Sequence, residues 1–404
     1  MKILVLAPGS RGDVEPAIRI ASGLIADGHR ATIVTHADYE QSVTAAGCES
    51  VSFTVPLEPP RPPGGKAPGA RGYLAHLRDY MLDHARAALA AAAGGGFGAV
   101  IANPISPYGH DIAEALDVPS AEALLQPAEP SRGYPPMIAS NLDLGPVLNR
   151  GFGRLARRFP APVDTAVAHV RRELGLPDES RRAGAHRRLS AGLPIHHGIS
   201  PAVLPRPNDW PSNLSLDGFW WPVEDEDWTP AVGLVDFLAA GPAPVLITLG
   251  SVDTGGSSAV TDFAEATDRR VIVQGACGSN LAEAAPHRVF AADHVPHSWL
   301  LPQVAAVVHQ AGAGITAACL RAQTPSVPLP QHTDQFFWAR RAHELGTAVT
   351  PLTGKRVSGE GVSAGVEQVL GDSGYRQRAS QVAARLDDGD STAPLRRWAA
   401  MCDG

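Results

Sequence analysis

A chain of 404 residues with 44% hydrophobic and 19% charged side chains has the make-up of an ordinary globular protein, and that length suits two domains of roughly 200 residues better than one core. A net charge of −7 gives no electrostatic case for nucleic acid, and no apolar run approaches the ~18 residues that stable membrane insertion of a helix needs. Cys48, Cys277, Cys319 and Cys402 are far apart with no CxxC spacing, so neither a zinc site nor a disulfide staple is indicated and a reducing cytoplasm is the expected setting.

The opening Met1-Lys2-Ile3-Leu4-Val5-Leu6-Ala7-Pro8 is too short for a signal core and runs straight into a charged turn, so it reads as a first strand. Val14, Ile18, Ala21 and Ile25 then share one stripe of a helix over 14–26, and a second strand follows over 31–35. This βαβ start continues with strands expected at 51–54, 99–103 and 120–125, broken by Gly94-Gly95-Gly96 and Pro119. A Pro-, Gly- and Arg-rich loop over 58–72 precedes a helix over 73–92, and the less regular 126–188 reads as helices covering one face of this domain. The Pro- and acid-rich 219–228 is the candidate linker. Strands resume at 244–250, 270–274, 288–292, 305–309, 326–329 and 348–351, and a final helix over 394–401 is placed to reach back across the domain junction. The alternation predicts an α/β chain with two doubly wound parallel sheets. The expected layout is a first domain over 1–205, a linker over 206–230, a second domain over 231–385 and a terminal helical segment over 386–404, with both sheets' carboxyl ends facing one deep cleft.

The sequence most suggestive of chemistry is Val307-Val308-His309-Gln310-Ala311-Gly312-Ala313-Gly314-Ile315-Thr316. An apolar strand ends, a turn of small residues admits a ligand close to backbone amides, and a helix starting at about Ala313 aims its dipole and free N–H groups at whatever anion sits there. Some twenty residues on, Asp334 and Gln335 pair an acceptor-only carboxylate with an amide that both donates and accepts, which suits the vicinal hydroxyls of a hexose. A diphosphate joined to a sugar satisfies both elements.

These features lie within a resemblance that spans nearly the whole chain. Gly9-Ser10-Arg11-Gly12-Asp13-Val14-Glu15-Pro16, Gly218-Phe219-Trp220-Trp221, Leu249-Gly250-Ser251, Asp293-His294-Val295-Pro296-His297-Ser298-Trp299-Leu300, the small-residue turn and Thr333-Asp334-Gln335 each resemble a motif of family 1 glycosyltransferases of the GT-B fold, in the family's order. Within that family the chain is most similar to bacterial enzymes that decorate antibiotics and to sterol glucosyltransferases. The resemblance implies an inverting transfer of a hexose or deoxyhexose from a UDP- or TDP-sugar to a hydroxyl of an apolar natural-product aglycone. It also implies a cytoplasmic monomer or weak dimer that needs no metal or other cofactor. The N-terminal domain would hold the aglycone, with Ser10, Arg11 and Gly12 at the cleft edge, and the C-terminal domain the nucleotide-sugar. Val295 would hydrogen-bond the pyrimidine through backbone atoms. Ser251, Gly312, Ala313, Gly314 and Ile315 would surround the diphosphate beside His309 and Gln310, while Asp334 and Gln335 hold the sugar.

The sequence departs from the family where two adjacent histidines are usual, the second being Gln310 here, and Ala311 and Ile315 stand where Gly and Thr are expected. A neutral Gln still donates an N–H to phosphate but carries no charge. These departures motivate an alternative, a non-catalytic or auxiliary homologue that binds nucleotide-sugar without efficient transfer. A nicotinamide-dependent oxidoreductase is a poor reading, because the first turn Gly9-Ser10-Arg11-Gly12 lacks GxGxxG.

Asp13 is the expected general base, since it follows a strand-to-helix turn at the cleft edge; the competing reading is a helix cap. His309 is read as a buried or ligand-adjacent residue rather than an acid or base, and His332 as a secondary candidate on a surface loop. His294 with His297, and His196 with His197, lack further ligands at zinc spacing. Asp334 and Gln335 could equally cap the next helix, and Phe53, Tyr73, Tyr80 and Trp338 could line an acceptor pocket or belong to the core.

Overall fold

The structure, a computed structural model, describes all residues except 60–68, 138–141, 226, 250–256, 275–280, 284, 294, 387–388 and 404. Ser251, His294, Cys277 and most of the 58–72 loop therefore lie outside the described residues. The chain divides into two compact units: the first comprises Met1–Pro136, Pro146–Val223 and Asp387–Gly404, the second Met137–Gly145 and Glu224–Leu386.

The first unit is built on a seven-stranded sheet of order β3-β2-β1-β4-β5-β6-β7. Its strands are β1 (Lys2–Leu6), β2 (Arg30–His36), β3 (Glu49–Phe53), β4 (Phe97–Ala102), β5 (Ser120–Leu124), β6 (Ile195–His197) and β7 (Leu214–Leu216), and every pairing is parallel. Helices cover both faces, which is why β1 reads as a continuous apolar run instead of alternating. On one face Ile3, Val5, Ile33 and Ile101 pack against Val14, Ile18 and Ala21 of the Arg11–Ala26 helix and against Leu395 and Trp398 of the Ala393–Cys402 helix. On the other face Leu4, Leu6, Val34 and Val100 meet Tyr80, Met81 and Ala85 of the Ala70–Ala93 helix.

Two features of this unit depart from the sequence reading. Strands β6 and β7 were not anticipated, because three-residue strands such as Ile195-His196-His197 carry no readable period. The stretch read as a linker from residue 206 is largely part of this unit: Leu214–Leu216 forms β7, Phe219 and Trp220 are buried, and the Trp220 indole N–H donates to the Ser391 carbonyl at 3.1 Å. The chain's tail is held by the same unit, with the Arg396 guanidinium bonded to the Asp27 carboxylate that closes the Arg11–Ala26 helix.

The second unit carries a five-stranded parallel sheet of order β10-β9-β8-β11-β12, from β8 (Val245–Thr248), β9 (Val271–Gln274), β10 (Val289–Ala292), β11 (Ala306–His309) and β12 (Ser326–Pro328). Val260, Phe263, Val362 and Val366 close one face over Val245, Ile247 and Val308, and Leu300, Leu301, Ile315 and Cys319 close the other over Leu246 and Val307. The strand expected over 348–351 is reduced to a single parallel bridge between Ser326 and Ala348. Pro328 and Pro351 have no N–H to extend the ladder there.

In both sheets the strand order reverses once, between β1 and β4 and between β8 and β11. In open parallel sheets the crevice beyond the carboxyl ends of the strands at such a reversal is where ligands sit.

Candidate functional site

At the reversal in the second sheet, β11 ends on His309, whose imidazole is fully buried. Its Nδ1 accepts the Ala311 N–H at 3.0 Å. Burial, and then the charge of His297, push its pKa down to about 3, so the ring is neutral. With Nδ1 accepting, the ring proton resides on Nε2, which has no hydrogen-bond partner among the described residues. Ala311 adopts a left-handed backbone, φ 63°, which a side-chain-bearing residue takes only under constraint. That kink turns the chain into Gly312, the N-cap of the Ala313–Arg321 helix, where no side chain among the described residues caps the first turn. The first-turn amides thus lack the side-chain acceptor that usually satisfies one of them.

The surroundings leave room at these amides. Among the described residues a Cβ at Gly314 would meet nothing within 4 Å, and one at Gly312 would meet only the Gln310 side-chain nitrogen, at 3.8 Å. Among the described residues nothing packs closely enough to require either glycine. The Gln310 side-chain oxygen is buried without a partner among the described residues, and its amide nitrogen lies beside the helix start. Ile315 turns its side chain into the core at 6% exposure, so only its amide is offered to the turn.

The next loop leaves β12 beside this turn, Leu329 N–H donating to the His309 carbonyl at 2.7 Å. Thr333 is also left-handed, φ 45°. Asp334 occupies the N-cap position of the Gln335–Glu344 helix without a side-chain cap bond, so the capping reading fails for its carboxylate. The Thr333 hydroxyl donates to it at 3.0 Å, and burial raises its pKa against that bond. Gln335 is buried, and its side-chain oxygen accepts the Gln331 and His332 amides at 2.8 and 3.2 Å. Its oxygen is therefore committed to loop geometry, while its NH₂ lies 3.4 Å from the His332 Nε2. Val295 follows β10 with its side chain in the core, so its main chain is what it can offer a ligand. His332 is exposed and bonded to the Thr333 hydroxyl.

At the reversal in the first sheet, Gly9 leaves β1 with φ 122°, Ser10 caps the Arg11–Ala26 helix, and Asp13 closes a capping box. The Asp13 Oδ2 accepts the Ser10 N–H at 3.0 Å and the Ser10 hydroxyl at 3.4 Å. The cap is Ser10; Asp13 is its partner. A Cβ at Gly9 would come within 2.2 Å of that carboxylate oxygen, so the bare backbone of Gly9 sets how close the loop lies to Asp13. Arg11 and Gly12 are exposed at the same end, Arg11 ion-paired to Glu15 at 3.2 Å. A crevice here is lined by Asp13, Asn103, Gln126 and Trp220 over apolar walls that include Val5 and Ile101.

Sequence reasoning missed Asn103 and Gln126, which only the parallel pairing of β1, β4 and β5 brings to Asp13. It also missed what Tyr80 does: the fully buried Tyr80 hydroxyl accepts the Gly9 N–H at 2.8 Å. Phe53 and Trp338 are core residues, Phe53 packing edge-on to Tyr80 and His84, while Tyr73 is 44% exposed. His196 is bonded to Asp217 at 2.7 Å and His197 to the Ser215 carbonyl at 2.8 Å with its ring stacked on Trp210.

Comparison with known proteins gives a consistent family. Residues 3–127 match the glycosyltransferase family 28 N-terminal domain, and residues 258–391 match the C-terminal domain of proteins like erythromycin biosynthesis protein CIII. The chain is 31% identical to O-mycaminosyltylonolide 6-deoxyallosyltransferase of Streptomyces fradiae, over 99% of this chain and 98% of that one. It is 30% identical to a sterol 3-beta-glucosyltransferase of Arabidopsis thaliana over 97% of its own length, and spans 64% of that longer relative. Among solved structures, Os79 from O. sativa in complex with UDP superposes with a TM-score of 0.71 at 17% identity over the full length of both chains.

Proposed function

The chain belongs to the family 1 glycosyltransferases of the GT-B fold, and from that premise we propose an inverting transfer of a hexose or deoxyhexose from a UDP- or TDP-sugar to a hydroxyl of an apolar natural-product aglycone. The observation that carries this reading is the β11 turn: a neutral buried imidazole with its Nε2–H unpartnered, and an uncapped helix start with open space at Gly314. These are donors only, arranged for an anion that brings its own acceptors. The names of the tylonolide deoxyallosyltransferase and the sterol glucosyltransferase support a deoxyhexose or hexose and a polycyclic or macrocyclic alcohol.

In the proposed reaction the diphosphate lies against the Gly312–Ile315 amides, with the Gln310 NH₂ and His309 Nε2–H beside it. The pyrimidine is read by the main chain at Val295, and Ser251 joins the diphosphate contacts. Asp334 accepts sugar hydroxyl protons and the Gln335 NH₂ donates to a neighbouring hydroxyl. The aglycone oxygen attacks the anomeric carbon as its bond to the diphosphate breaks, and the hydroxyl proton passes to the Asp13 carboxylate. A single displacement from the face opposite the leaving group inverts the anomeric centre. Ser10 holds one Asp13 oxygen through two bonds, which fixes the carboxylate's orientation without protonating it.

The donor set consists of amides and a helix end, which stabilise departing charge in the role Mg²⁺ has elsewhere. Transfer is accordingly expected to persist undiminished in EDTA, and loss of turnover that Mg²⁺ restores would contradict this part. The direct test is product formation from a panel of UDP- and TDP-sugars with macrolide and sterol alcohols, with the anomeric configuration read by NMR. A retained configuration, or no product from any pairing, opposes the proposal.

The departures at Gln310 and Ile315 carry a second reading, an auxiliary homologue that binds nucleotide-sugar without efficient transfer. Donor binding without turnover, restored by Gln310→His, would favour it.

A further inference from the structure

The Pro146–Ala156 helix of the first unit leaves an apolar face uncovered. Val147 is 70% exposed, Leu148 61%, Leu155 47%, and Phe159 in the following turn 58%, with Phe152 beside them at 36%. At 100° per residue Leu148, Phe152 and Leu155 fall within about 60° of one another, with Val147 about 80° from the nearest of them; Phe159 follows in the turn after the helix. Only Asn149 and Gly153 of this helix are buried, about 110° further round from the centre of the Leu148, Phe152 and Leu155 side chains, and Gly153 lies against Pro130 so closely that a Cβ would stand 3.1 Å from it. The helix is therefore held by its narrow polar and glycine side, and its hydrophobic stripe faces outward.

The charge on the segment is of one sign. Between Pro146 and Pro160 stand Arg150, Arg154, Arg157 and Arg158 and no acid, although the chain as a whole carries −7. Arg150 and Arg157 turn to the body, pairing with Asp209 at 3.5 Å and Glu129 at 2.6 Å. Arg154 and Arg158 are exposed and make no ion pair among the described residues. By helical period Arg154 falls next to Val147, at one border of the apolar side chains, and Arg158 lies in the turn that follows the helix.

We propose that this face seats the protein on an anionic lipid surface. A helix with leucine and phenylalanine on one side and only arginine charge at its border lies in the plane of a bilayer interface, burying the first and pairing the second with lipid phosphates. The charge favours this occupant over a second copy of the chain, since a two-fold contact through the stripe would bring Arg154 and Arg158 of both copies together. The binding is peripheral: among the described residues no helix is long and apolar enough to cross a membrane. The inference does not depend on the transfer reaction, because vesicle binding is read without turnover.

The test is co-sedimentation of the full chain with phosphatidylcholine vesicles, with and without phosphatidylglycerol as about a third of the lipid. Partition onto the anionic vesicles is expected to exceed that onto neutral ones by roughly tenfold and to fall as salt is raised to about 0.5 M. Leu148→Gln with Phe152→Gln and Leu155→Gln, all surface changes, should abolish binding without lowering the melting temperature. Arg154→Gln with Arg158→Gln should weaken it on anionic vesicles only. Equal binding to both vesicle types, no binding, or full binding by the triple variant overturns the proposal. So does a solution dimer that the triple variant dissociates while vesicles bind neither form, or a triple variant that still binds vesicles but no longer turns over a dissolved aglycone.

Discussion

At Gly314 an ordinary rule of helix stability is left unused. Alanine in a first turn would be more stable than glycine by up to about 1 kcal/mol, and among the described residues nothing opposes a methyl group there. An approaching ligand is what would oppose it. Gly314→Ala is therefore expected to hold or raise the melting temperature while weakening UDP or TDP by roughly 10- to 100-fold, the worth of a charge-assisted amide bond; calorimetric titration beside a thermal melt checks both signs. Asp13→Asn keeps an oxygen for the Ser10 N–H and loses the basic lone pairs. Turnover should fall by about 10²- to 10⁴-fold with donor affinity intact, and a variant within a few-fold of the native rate would remove Asp13 from the mechanism. Both positions are legible in sequence because their signal is local: small residues after an apolar strand, and an acid in a helix's first turn. The unpartnered His309 Nε2 is not, since it follows from which nitrogen accepts the Ala311 N–H and from complete burial.

The relation between elements explains why Asp13 is held where it is. The Ala70–Ala93 helix reaches under the β1 turn, and Tyr80 supplies the acceptor for the Gly9 N–H from 71 residues away. Tyr80→Phe keeps the ring among Phe53 and His84 but leaves that buried N–H without an acceptor, at a cost of about 1–3 kcal/mol. It should also lower turnover while donor affinity is unchanged; equal stability and turnover in the variant would show that Gly9 needs no such support. No pattern in the sequence joins residues 9 and 80. The same limit explains the missed strands: β6 and β7 exist because β5 offers an open edge and each adds three residues to it, whereas β1, β2 and β4 announce themselves through apolar runs. The expected strand over 348–351 failed for the converse reason, an apolar run with too few N–H groups to pair.

For the molecule as a whole, four buried histidines set the response to acid. Burial holds His84 and His197 at about 4 and His110 and His309 at about 3, all below the ordinary 6.5. Between about pH 6.5 and 4 the unfolded chain binds these protons and the folded chain does not, so stability is present above that window and lost as pH falls through it. Glu122 acts in the opposite sense, since burial raises it to about 7 and it takes up its proton in the folded state first. Glu15, Asp111 and Asp334, which burial also raises, act in the same sense as Glu122, so the net slope stays below the roughly 4 kcal/mol per pH unit that three protons would give. A melting temperature that drops sharply from pH 6.5 to 5 is expected, and a flat profile there would contradict the buried neutral imidazoles. The central claim, that the β11 turn holds a nucleoside diphosphate, is tested most directly by amide hydrogen exchange of the intact chain with and without UDP or TDP. Slowed exchange in the peptide spanning Gln310–Thr316 is the expected result; unchanged exchange there, with protection confined to other segments, would contradict it.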